Sequence, residues 1–125
     1  SSLEPRLSEL AILTMAAWWR SSFEWWAHHP IALKAGLDAR VAEQVRLGDA
    51  PVFEKEDESV VYRFVQVLLE TRQVPDALYQ EAVRVLGEPR VVDLVGIAGY
   101  YTLISMTINV FEVLPDDGST VTFGR

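Results

Sequence analysis

The chain has 125 residues, half of them hydrophobic, which suits one domain with its own core and argues against disorder. Its formal net charge of −7, from 18 acids against 11 bases, disfavours nucleic acid as a partner, because phosphate binding needs a basic surface. The lack of cysteine excludes disulfides, thiolate metal sites, thiol nucleophiles and dithiol redox chemistry. It is compatible with a reducing compartment, and a cytoplasmic location is expected. No secretory signal is read in the opening SSLEPRLSEL, which lacks a basic segment followed by an apolar run.

The elements read as helices from end to end. Leu7, Leu10, Ala11, Thr14, Ala17 and Trp18 recur at three and four residues, and Pro5 suits a first turn. Ser21-Ser22 marks a break or a polar turn. A second helix carries Glu24 and His28 and ends at Gly36, with a kink or restart expected near His29 because Pro30 lacks an N–H. Asp38 is an N-cap candidate for a third helix, with Val41, Val45 and Leu47 on its apolar side and Gly48 at its end.

A polar loop, DAPVFEKEDES, follows. Val61, Phe64, Val65 and Leu68 face inward on a helix that runs to about Arg72. Another spans VPDALYQEAVRVLG, between Pro75 and Gly87. Pro89 opens the longest helix, which ends near Leu114, and PDDGSTVTFGR reads as a turn and a loose tail with weak strand character in TVTF. The expectation is an all-α domain of six or seven helices over residues 1–125, with its core between about 6 and 113.

Residues 94–111 carry no charge, which is near the lower length for a membrane span. Thr102, Ser105, Thr107, Asn109 and two tyrosines, without flanking basic clusters, favour a soluble helix. Apolar residues cover most of its circumference: Leu94, Ile97, Tyr101, Ile104, Ile108 and Phe111 on one stripe, Val95, Leu103, Met106 and Val110 elsewhere. One small domain rarely buries a helix all round, so a homo-oligomer interface is expected there.

The chemistry concentrates in FEWWAHHPIALKAG, from Phe23 to Gly36. Glu24 and His28 are i and i+4 and share a helix face, where a carboxylate can orient an imidazole and favour its protonated form. Glu9 could fold back onto them from the preceding helix, and Arg20 lies one turn before Glu24. Other roles fit the same residues. Ser21 to Glu24 matches a capping box, and His28 could be a buried histidine bonded to a carbonyl. Adjacent His28 and His29 do not share a face, so no metal site is expected. Trp18 and Trp25, like Trp19 and Trp26, are seven apart and could be core, interface or the wall of an apolar pocket.

RLSELAIL from Arg6, FEWWAHHPIALKAGL from Phe23 and LVGIAGYYTLISMTINVFEV from Leu94 resemble the carboxymuconolactone decarboxylase family, which shares its helical fold with AhpD-type alkyl hydroperoxidases. The resemblance runs from about Arg6 to Val113. Its peroxidase branch carries a glutamate, a C-x-x-C pair and then a histidine. Glu9 and His28 stand at the glutamate and histidine, and Ser21 and Glu24 stand where the cysteines would be. Without thiolates, thiol exchange has no nucleophile. The resemblance therefore implies a cofactor-free decarboxylase of an unsaturated carboxylated lactone, with Glu9, Glu24 and His28 handling protons. It implies Arg20 or Arg6 at the anionic substrate, with Ser21 and Trp25 beside it, and a homotrimer or homohexamer. Neither nucleic acid nor membrane is expected as a partner.

Overall fold

The computed structural model describes residues 2–124. Six helices follow in chain order: α1 (Pro5–Trp19), α2 (Ser22–Lys34), α3 (Ala39–Leu47), α4 (Glu56–Thr71), α5 (Asp76–Leu86) and α6 (Glu88–Val110). Among the described residues there is no strand, and the TVTF segment has no regular secondary structure.

α1 is the central element. Every residue from Leu10 to Ala16 is buried, and α2, α3, α4 and α6 all pack on it, while α5 bridges α4 and α6. A helix that is apolar on all sides must be surrounded, and the neighbours supply Trp25, Val41, Val45, Val61, Phe64, Val65, Leu94 and Ala98 to that core. The expected inward residue Leu68 is half-buried, and Leu47 is 38% exposed.

The α1–α2 corner depends on two residues. Arg20 takes the left-handed conformation (φ 54°), so that the amides of Arg20 and Ser21 turn back to the carbonyls of Ala17 and Ala16. Ser21 then caps α2, its Oγ accepting from the Glu24 amide at 3.3 Å. This turn also separates the tryptophans spaced by seven. Trp18 and Trp25 belong to different helices, the first exposed and the second buried.

α2 is continuous through Pro30, against the expected restart near His29. Proline lacks the amide that would bond the Trp26 carbonyl, but the turns on either side hold the helical path. At its end Gly36 (φ 104°) and Leu37 donate to Leu33 and Ala32 in a Schellman arrangement, as a glycine after the last turn predicts. Asp38 caps α3 through the Arg40 amide at 2.7 Å.

The tail is not loose. The Val121 amide donates to Ser22 Oγ at 3.0 Å, and the Gly124 amide to the Arg46 carbonyl at 3.0 Å. Phe123 is buried with its ring edge-on to Trp25, centroids 5.9 Å apart. A Cβ on Gly124 would stand 1.8 Å from the Leu47 carbonyl oxygen, so only glycine allows this approach.

α6 buries Val91, Leu94, Ala98, Ser105 and Ile108 against α1 and α5. It ends at Val110 rather than near Leu114, and Phe111, expected on one stripe with Leu94 and Ile108, follows the helix and is 74% exposed where those two are buried. By length and composition α6 is apolar enough to cross a membrane, and 28% of its apolar window is buried inside the chain.

Candidate active site

Glu9, Glu24 and His28 converge. Glu9 projects from α1, Glu24 and His28 from successive turns of α2. His28 Nδ1 lies 2.8 Å from Glu9 Oε2 and 3.2 Å from Oε1. His28 Nε2 lies 3.1 Å from Glu24 Oε2. This second contact is an electrostatic one, since Glu24 Oε2 has no aligned hydrogen-bond donor among the described residues.

Both carboxylates are buried, whereas the His28 side chain keeps 17% of its surface exposed. Burial by itself lowers the basicity of His28. The Glu24 and Glu9 carboxylates outweigh it, and the imidazole pKa rises from 6.5 to about 9. His28 is therefore an imidazolium at neutral pH, with a carboxylate at each ring nitrogen.

The Glu24 backbone and side chain have separate uses. Its amide completes half of the capping box with Ser21, while its carboxylate turns to His28 and not back to the Ser21 amide. The capping role expected of the Glu24 side chain is therefore not seen: Ser21 alone caps α2, and the Ser21 amide bonds the Ala16 carbonyl instead.

Tyr101, which sequence reasoning did not place in the site, stands edge-on to His28 with ring centroids 5.5 Å apart. Burial, then Glu24 and Glu9, raise its phenol pKa. Tyr100 stands edge-on to Tyr101 at 5.1 Å. The paired tyrosines in the uncharged α6 segment were the available signal, since a phenol in an otherwise apolar stripe needs a polar neighbour when half-buried. Further along α6, Asn109 Nδ2 donates to the Trp19 carbonyl at 2.7 Å, which fixes α6 against the α1–α2 corner.

The expected substrate-binding residues are dispersed. Arg6 turns away to α4, with Glu58 at 2.6 Å, Asp57 at 2.8 Å and Glu4 at 2.7 Å. These partners raise its pKa further and hold the Asp57 carboxyl below its usual range. Trp25 packs on His29, ring centroids 5.4 Å apart, and on Phe123 rather than on His28. Ser21 is buried in its cap. Arg20 reaches the Phe123 carbonyl at 3.5 Å and lines a half-open cavity of about 290 Å³ with Thr14, Trp18, Val45, Arg46 and Tyr62. A second cavity of about 340 Å³ lies by Ser2, Asp57 and Arg90. The Glu9–His28–Glu24 cluster lines neither.

Among the described residues no group of three His, Asp or Glu side chains is arranged to hold a metal ion. Each ring nitrogen of His28 already faces a carboxylate, so the imidazole offers no free lone pair. The chain matches no family model, no curated protein and no solved structure.

Proposed function

We propose that the protein is a cofactor-independent lyase that decarboxylates an unsaturated carboxylated lactone by general acid–base catalysis, on the carboxymuconolactone decarboxylase pattern. The observation that supports this reading is the imidazolium of His28 held between Glu9 and Glu24 with one edge open to solvent. Loss of carbon dioxide leaves an electron pair conjugated with the lactone carbonyl, and a proton must then be delivered to carbon. His28 is the proton donor in this proposal. Glu9 holds its ring in place through Nδ1, and Glu24 keeps Nε2 charged until transfer. Arg6 is excluded as the anion-binding group because three carboxylates already surround it. Arg20, the other expected anion-binding group, meets a carbonyl and, among the described residues, no carboxylate. It stands in the left-handed turn before α2 and lines a cavity apart from His28, so its part in the proposal is to draw the anionic substrate to the surface and not to hold it at the imidazole.

A homo-oligomer acting on a small carboxylated molecule in the cytoplasm completes the reading. Its test is a screen of carboxylated lactones for carbon dioxide release, with His28→Gln as control. Release that disappears in the variant sustains the proposal, and release that survives overturns it.

A second reading has its own support in the cavity bounded by Trp18, Arg20 and Tyr62, which stands apart from His28. It makes the chain a small-molecule-binding module without turnover. Binding of a lactone acid that Trp18→Ala weakens and His28→Gln leaves unchanged, without carbon dioxide release, selects this reading.

A further inference from the structure

We infer that the outer face of α6 is a helix-packing seam for the α6 of a second copy of this chain, crossing antiparallel about Gly99. This deepens the homo-oligomer part of the proposed function and stands independently of its chemistry.

The seam is regular. Val92, Gly96, Gly99, Leu103, Met106 and Val110 follow one another at steps of 4, 3, 4, 3 and 4 residues. Alternating steps of three and four keep a stripe facing one partner helix. All six are exposed, Val92 at 64%, Leu103 at 57% and Val110 at 72%. At ~100° per residue this stripe lies opposite the face that buries Leu94, Ala98, Ser105 and Ile108. α6 is thus apolar on two opposed sides, and its own domain covers one of them.

Three features select another copy of α6 as occupant. Residues 94–111 carry no charge, so the face repels no copy of itself and offers nothing to an oppositely charged partner. The face is self-complementary, as a two-fold contact requires. In an antiparallel crossing at Gly99, Gly96 of one copy meets Leu103 of the other, and Val92 meets Met106, so that small faces large at the closest approach. A Cβ at Gly96 or Gly99 would meet nothing within 4 Å in the chain itself, so packing within the domain does not explain these glycines. Val95, Tyr100, Phe111, Val113 and Leu114, all exposed, extend the apolar face at its rim.

The seam borders the candidate site. Tyr100, 57% exposed, lies at its rim, and the edge-on series Tyr100, Tyr101, His28 leads inward from it. A second copy therefore covers Tyr100 and narrows the solvent approach to His28.

Sedimentation of the full chain at tens of micromolar tests the inference. The parent chain should have twice the 14.1 kDa chain mass or an even multiple of it. Leu103→Glu, on an exposed position, should halve that mass with an unchanged helical circular dichroism spectrum. Gly99→Cys, which introduces the sole cysteine, should give a disulfide-linked dimer on mild oxidation. A monomeric parent, an unchanged mass in Leu103→Glu, or failure of the Gly99→Cys variant to cross-link overturns it. Co-flotation of the parent with phosphatidylcholine vesicles, abolished by Leu103→Glu, also overturns it by giving the face to lipid. A dimer without carbon dioxide release removes the lyase reading alone, and a monomer that releases carbon dioxide removes this inference alone.

Discussion

Two clusters in this molecule share one design. Each sets a cationic side chain among carboxylates, and each draws on α1, at Arg6 and, one turn later, at Glu9. Around Arg6 stand Glu4, Asp57 and Glu58; around His28 stand Glu9 and Glu24. A guanidinium cannot release its proton under ordinary conditions. The Arg6 cluster therefore ties α1 to α4 and can do no acid–base work. An imidazolium with a pKa near 9 can release its proton, so the same arrangement becomes chemically competent. The identity of the cation, more than the number of acids around it, separates a structural clamp from a candidate site.

The largest expected effect separates the clusters by chemistry. His28→Gln should lower carbon dioxide release by about 10²–10⁴-fold, the usual range for a lost general acid, while Arg6→Met should leave turnover of the folded protein unchanged. Steady-state assay of both variants checks this. Next comes stability. Arg6→Met leaves Glu58, 3% exposed, without its partner and should cost ~3 kcal/mol in urea unfolding.

pH should then divide the clusters. The folded-state pKa of His28, about 9, exceeds its ordinary 6.5. Its stabilisation is complete below pH 6.5 and is lost as pH rises through 9. Allowing for solvent screening at the exposed edge, the loss is roughly 2 kcal/mol. His28→Gln should remove this slope, and Arg6→Met should retain it, because Arg6 does not titrate in that window. Unfolding midpoints between pH 6 and 10 measure the difference. The smallest effect concerns the scaffold under the site: Ser21→Ala should cost ~1 kcal/mol through the lost cap of α2, read as a lower thermal midpoint.

Much of the helical frame was legible because its signals are local. Ser21, Asp38, Gly36 and Gly48 act on amides and carbonyls within a turn of themselves, and each stands where such a residue should. The pairing of Glu24 with His28 was legible for the same reason, since i and i+4 on a helix are neighbours whatever surrounds them. Misreadings arose where distant residues decide. Pro30 suggested a kink or a restart, and the restart does not occur, since α2 continues past it. PDDGSTVTFGR resembled a loose tail, yet Phe123 and Gly124 lock onto Trp25 and Leu47, partners that no local pattern announces.

Composition and periodicity determined an all-helical chain, its main turns and a histidine with a glutamate on the same face. Tertiary structure alone decided that Glu9 reaches that histidine while Arg6, three residues earlier, goes to α4. It also decided that Tyr101 stands edge-on to the ring and that the rest of the chain leaves one side of α6 uncovered. The physical reason is range. Capping and i, i+4 contacts act along a single helix, whereas the burial of charge and the covering of an apolar face depend on which helices meet.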